Sequence, residues 1–194
     1  MFGRHFVAIV GAALALGATT AHAHTFGTTG FGFMEGIAHP ISGIDHIMAM
    51  VAVGLWASQE GGRALWALPA TFVSMMTVGA LLGVAGVPVP AVELGIAASV
   101  LVLGSLIAAS ARLPLIAAMA IVGACAVMHG HAHGAEMPEA AAPILYGIGF
   151  VLGTSILHTI GVAVGYWARS SLARVAVRVS GGAIAVAGVA LMVG

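Results

Sequence analysis

The sequence predicts an all-α fold: a polytopic membrane bundle of six transmembrane helices following a cleavable signal peptide. Three observations carry that prediction. Of the 194 residues, 61% are hydrophobic and only 6% charged, whereas soluble domains carry about 25% charged residues, so an aqueous fold is excluded. The apolar residues are gathered into runs near the ~20 residues that a spanning helix needs. Finally, every arginine falls where one membrane orientation would put it.

The chain begins with the layout of a secretory signal. Arg4 supplies the positive start, Phe6 to Leu16 the apolar stretch, and Ala21-His22-Ala23 a small-x-small cleavage site. The apolar stretch is too short to span a bilayer, although an uncleaved anchor is the alternative. Removal of residues 1–23 leaves 24–194 as the working domain, starting at His24. A terminal amine beside an imidazole can chelate a metal, but a chain end of this kind is also commonly without structure.

Six spans follow, at about 34–57, 64–86, 91–110, 113–133, 143–167 and 172–193. Each is closed by a charge, a proline or a Gly/Ser cluster, as at Gln59-Glu60-Gly61-Gly62-Arg63 and Pro88-Val89-Pro90. In the first, Pro40 is a helix-starting residue that would leave 31–39 as an interfacial lead-in. A cleaved signal leaves the N-terminus outside, which makes the connections near 57–63, 110–113 and 168–178 cytoplasmic. Arg63, Arg112, Arg169, Arg174 and Arg178 fall on or beside those connections, and the outer loops hold no arginine. The positive-inside rule is met without exception, which places both mature ends in the periplasm of a bacterial inner membrane. Gly79/Gly83, Gly149/Gly153 and Gly161/Gly165 are GxxxG pairs, read as helix packing.

Net charge is zero and there is no lysine, so nothing points to a nucleic-acid partner. Cys125 is the single cysteine, which precludes an intrachain disulfide. What stands out is nine His against six Asp and Glu. Ionisable groups at a helix centre cost about 2.5–3.5 kcal/mol on insertion scales, so they usually mark function.

The first span carries His39-Pro40-Ile41-Ser42-Gly43-Ile44-Asp45-His46. Two imidazoles and a carboxylate suit a divalent ion such as Ni, Co, Zn or Cu. On a straight helix His39 and His46 would share a face roughly 10 Å apart, too far for one ion. Either a kink at Pro40 and Gly43 draws the three together, or they form two sites in series along a path. The fourth span ends Met128-His129-Gly130-His131-Ala132-His133-Gly134-Ala135-Glu136. On a helix, His129 and His133 share a face that Glu136 continues, while His131 points away. A loose His-rich metal scavenger is the alternative reading of that tract.

His158 in the fifth span is either an inner ligand or a packing histidine. Glu93 reads as a helix N-terminal carboxylate, Cys125 as a small apolar residue, and the methionines as core. Together the candidates form a series in depth: His24, His129, His133 and Glu136 outermost, then His39, then Asp45 and His46 near the midplane, then His158. A graded line of exchangeable ligands suits permeation better than storage.

At His39-Pro40-x-x-Gly43-x-Asp45-His46 and His129-Gly130-x-Ala132-His133-Gly134-x-Glu136 the sequence resembles the HupE/UreJ family. These are bacterial membrane proteins associated with hydrogenase and urease. The likeness covers essentially the whole chain, with Met128 standing where the family's second motif opens with an aromatic. It implies a secondary permease for nickel, with cobalt the next candidate, rather than an enzyme. It also implies His39, Asp45, His46, His129, His133 and Glu136 as functional positions, and hydrogenase or urease maturation proteins as partners. The metal is cargo on this reading, with no resident cofactor. No nucleotide-binding loop is present, so the drive is the membrane potential, a proton gradient or a binding protein. Two alternatives stand beside it: a membrane-embedded zinc hydrolase with Asp45 or Glu136 activating water, and a nickel-holding accessory protein without flux.

Overall fold

The computed structural model describes residues 32–137, 142–168 and 170–194. The expected signal sequence and His24 lie outside the described residues. Seven α-helices make up the described chain: α1 (Gly32–Ser42), α2 (Ile44–Glu60), α3 (Ala64–Val84), α4 (Val92–Ala109), α5 (Leu115–Ala135), α6 (Pro143–Trp167) and α7 (Ser171–Val193). A bundle follows from the sequence because lipid offers no partner for backbone polar groups. Each span must satisfy its own backbone by coiling.

Helices α3 to α7 reproduce the second to sixth apolar runs, and each is long and apolar enough to cross a membrane. The first run differs. It is two helices bent by 83° at Gly43, where one residue adopts an extended conformation (φ −101°, ψ 126°). Pro40 does not start a helix after an irregular lead-in; it sits inside α1. The proline forfeits one bond, the one its missing N–H would have given Gly36 four residues back. Its ring packs beside Gly153 of α6, and the break comes three residues later.

The bent pair counts as one span because α6 accompanies it throughout. Gly32 lies at Ala142, Gly36 at Tyr146 and Phe150, and Pro40 at Gly153. Beyond the bend, Gly54 meets His158 and Val162, and Ser58 meets Gly165. Helix α6 has 25 residues, about 37 Å at 1.5 Å per residue, which is enough to cross the bilayer. Both halves of the broken span therefore follow one crossing helix, and the bundle has six spans.

Close approach of glycines joins the helices in pairs. Gly79 and Gly83 of α3 meet the backbone of α5 between Val127 and Ala135. Gly149 and Gly153 receive α1, Gly161 and Gly165 receive α2, and Gly104 and Gly188 join α4 to α7. At most of these positions an added Cβ would collide with a neighbouring backbone, so the three GxxxG pairs do pack helices. The periphery is apolar, as lipid contact requires: Ile116 is 83% and Ile144 78% exposed.

Arg63, Arg112, Arg174 and Arg178 all lie at one end of the bundle, with the C-termini of α2, α4 and α6. At this arginine end α2 is tied to the end of α4 and the connection beyond. Trp56 Nε1–H donates to the Ala111 carbonyl (3.2 Å) and Gln59 Nε2–H to the Ile107 carbonyl (3.2 Å). Arg112 Nη1–H donates to the Glu60 carbonyl (2.8 Å), and the Leu113 N–H to Glu60 Oε1 (2.9 Å). The opposite end holds the last turns of α5 and their histidines.

Candidate metal site

The break at Gly43 brings together side chains that a straight helix would hold apart. His39, near the end of α1, and His46, in the first turn of α2, both reach His133 of α5, with ring centroids 4.6 and 4.2 Å away. His46 also packs edge-on against His129, at 4.8 Å. Four imidazoles thus form one cluster, with His129 and His133 fully or almost fully buried. Of the two sequence alternatives, the kink is the one observed.

Hydrogen-bond partners fix two of the tautomers. Asp45 Oδ1 takes a bond from His46 Nδ1 (2.7 Å) and another from the His46 backbone N–H (2.8 Å). An ionised carboxylate only accepts, so Nδ1 carries the proton and Nε2 keeps its lone pair. Ser99 gives its single hydroxyl proton to the Ile96 carbonyl (2.7 Å). It therefore accepts from His129 Nε2–H, 2.7 Å away, which leaves the lone pair of His129 on Nδ1. Both lone-pair nitrogens are buried without a hydrogen-bond partner, as are both ring nitrogens of His133. Buried polar atoms left unpaired cost about 1–3 kcal/mol each, so they are seldom left idle.

Aromatic rings enclose the cluster. Phe150 lies 4.4 Å from His133 and 6.2 Å from His39, with Tyr146 5.8 Å from His39. Phe72 stands below, 5.8 Å from His129 and 5.0 Å from His158. It separates His158 from the four imidazoles. His158 is buried, unpartnered at both nitrogens, and borders a cavity of about 440 Å³ between α3 and α6.

The expected series in depth contracts accordingly. Asp45 and His46 are not at the middle of the bundle. Their contacts with residues two turns or less from the end of α5 place them with His129 and His133. Glu136 caps α5 beyond the cluster and is exposed. Partial desolvation and then the Glu93 carboxylate push its pKa above the usual range, so Glu93 is a neighbour of the site as well as a helix-start acid. His131 stays out of the cluster. It binds the Val87 carbonyl (2.8 Å) and fastens the α3–α4 connection to α5.

Ser99, Phe72, Tyr146 and Phe150 had no mark in the sequence as site residues. Their roles depend on partners far along the chain. Among the described residues, no three His, Cys, Asp or Glu side chains already hold their donor atoms as a ready coordination set. The rings pack on one another, and their lone pairs would converge only after the imidazoles turn.

Six crossing helices around a buried, partly unpaired histidine cluster define a multi-pass membrane protein with a candidate cation site in its bundle. The chain belongs to the HupE/UreJ family, whose model, described as HupE / UreJ protein, matches residues 12–191. It is similar to Protein HupE of Rhizobium leguminosarum bv. viciae, with 46% identity over 183 residues, covering 94% of this chain and 95% of that protein. No solved structure matches it.

Proposed function

We propose that the protein is a secondary permease that carries Ni(II), or Co(II) as the second candidate, from periplasm to cytoplasm across the bacterial inner membrane. The cargo serves hydrogenase or urease maturation. On this reading the arginine end is cytoplasmic, by the positive-inside rule, and both mature termini are periplasmic. The observation that carries the proposal is the set of buried imidazole nitrogens without a partner: His46 Nε2 and His129 Nδ1, which hold lone pairs, and the two ring nitrogens of His133, one of which holds a lone pair in the neutral ring. Asp45 orients His46, the arrangement by which carboxylates support metal-bound histidines.

His39, His46, His129 and His133 are the proposed cargo ligands, with Asp45 positioning and Glu136 gathering cations at the mouth. His158, beyond Phe72, receives the ion next. Divalent Ni and Co accept imidazole readily.

The test is radiolabelled nickel uptake by cells expressing the protein, compared with Asp45→Ala and His46→Ala. Uptake is expected to fall to background in His46→Ala and at least tenfold in Asp45→Ala. Unchanged uptake in both variants defeats the mechanism. Stoichiometric binding by the purified protein without flux in proteoliposomes would replace it with a metal-holding role.

A further inference from the structure

Two stretches of this chain recur. Thr77-Val78-Gly79-Ala80-Leu81-Leu82-Gly83 in α3 is echoed 82 positions later by Thr159-Ile160-Gly161-Val162-Ala163-Val164-Gly165 in α6. More sparsely, Val51, Gly54 and Glu60 of α2 have residues of the same type 76 positions later, Val127 and Gly130 in α5 and Glu136 at its end. Short likenesses among apolar residues arise by chance, so the contacts must decide.

The contacts repeat at the same two shifts. A methyl group on Gly54 would strike the His158 carbonyl, and one on Gly130 the Met76 carbonyl. Gly161 meets the Val51 carbonyl and the Leu55 N–H, while Gly79 meets the Val127 carbonyl and the His131 N–H. Gly104 against the Ala185 nitrogen becomes, 84 positions on, Gly188 against the Leu101 nitrogen. Near the centre, the Phe72–His158 ring contact exchanges with the hydrogen bond from Thr154 to the Met76 sulfur (3.7 Å). Helix α2 runs toward the arginine end and α5 away from it. The two halves are therefore inverted copies, related by an axis in the membrane plane, as in many secondary transporters.

The inversion assigns His46, His129 and His133 of the cluster, and the Phe150 ring that packs on it, counterparts at the arginine end. Val122 corresponds to His46, Val53 to His129, Ala57 to His133 and Leu68 to Phe150. All four counterparts are buried in one apolar core. We infer that this Val53–Ala57–Leu68–Val122 plug, the inverted image of the histidine cluster, is the gate through which the ion leaves. The inference rests on the permease reading. A dry apolar constriction stops an ion that has not shed its water, so release requires the plug to part.

The same comparison identifies what holds the gate shut. Trp56, Gln59 and Glu60 bind residues 107–113 through four hydrogen bonds. The counterparts of Trp56 and Gln59 at the histidine end are Ala132 and Ala135, which have no side-chain donor. The two ends share a backbone plan, and among the described residues this latch is found at the arginine end.

The test follows a thiol. In a Cys125→Ala background, Ala57→Cys is treated with a membrane-impermeant maleimide in everted vesicles, with Ala126→Cys as a buried control. Modification is expected to be slow with the latch intact. It should quicken about tenfold when Trp56→Phe or, separately, Gln59→Ala is added, each variant still binding nickel as the parent does. Two independent variants guard against misfolding of either one. Reactivity that stays at the level of the Ala126→Cys control in both sinks the gate. Flux in proteoliposomes of the unaltered protein is measured alongside. Acceleration without any flux sinks the permease reading, and with it the plug's role in ion release, while showing that the latch holds the plug shut; flux without acceleration sinks the gate alone.

Discussion

Replacing Asp45 by Asn keeps the shape of the side chain and removes its charge. The oxygen still lies within reach of His46 Nδ1 and of the His46 backbone N–H, which it now meets at 2.7 and 2.8 Å. Hydrogen bonds to a charged group contribute about 1.5–3 kcal/mol and neutral ones about 0.5–1.5, so the change removes roughly 1–2 kcal/mol of the interaction that orients His46. Loss of a partner behind a metal-binding histidine typically costs about 10–100-fold in affinity. At about 1.4 kcal/mol per tenfold the two estimates meet near a tenfold loss. Nickel affinity is to be measured by equilibrium dialysis of the detergent-purified protein at pH 7.5, with His46→Ala as the reference for outright loss. Affinity within twofold of the parent would refute the positioning argument. A loss above about a thousandfold would refute it from the other side, because the carboxylate would then be acting as a ligand.

The remaining predictions use the same preparations. Gly43→Ala is expected to weaken nickel binding, because a Cβ there would lie 2.7 Å from Asp45 Oδ1 and 2.9 Å from His46 Nδ1; unchanged affinity in the same dialysis would show that the pair moves aside freely. Gly130→Ala should destabilise the bundle by about 1–3 kcal/mol or more, the scale of overpacking, since its methyl strikes the Met76 carbonyl; a thermal midpoint equal to the parent's contradicts this. Glu136 has a raised folded-state pKa, so its ionisation opposes folding, and its contribution is full at low pH and lost as pH rises through the folded value. Glu136→Gln should accordingly raise the melting temperature at pH 8 and leave it unchanged at pH 4, and the reverse pattern would sink the assignment. His158→Ala, beyond Phe72, should leave nickel affinity at the cluster within about twofold, the coupling of separate sites being small, while slowing flux; a large affinity loss would mean that His158 joins the cluster.

Five spans could be read directly because the bilayer demands contiguous apolar runs of a set length, and arginine placement ordered them. The first span was legible as apolar, and a kink at Pro40 and Gly43 was one of two readings, but neither the size of the bend nor its place at Gly43 alone could be read. Pro40 looked like the breaking point, yet a proline can persist in a helix where a neighbour packs its ring, and Gly153 supplies that place. His39, Asp45, His46, His129 and His133 were visible because ionisable groups are conspicuous in an apolar run. Ser99 and Phe72 were invisible for the opposite reason. A serine is common in helices, a phenylalanine is ordinary core, and the partner of Ser99 lies 30 residues away. Glu93 was read from its own helix alone, so its effect on Glu136 could not appear.

The first span rests along α6 on surfaces made largely of glycine: Gly149 and Gly153 under one half, Gly161 and Gly165 under the other. Interlocked side chains would have to disengage for the angle at Gly43 to change. A glycine track offers few such teeth, the Pro40 ring at Gly153 and the Ser58 side chain at Gly165 among them, so a change of that angle would have little interlock to undo. A bulky residue on that track would act as a brake, stiffening the elbow without touching a single imidazole.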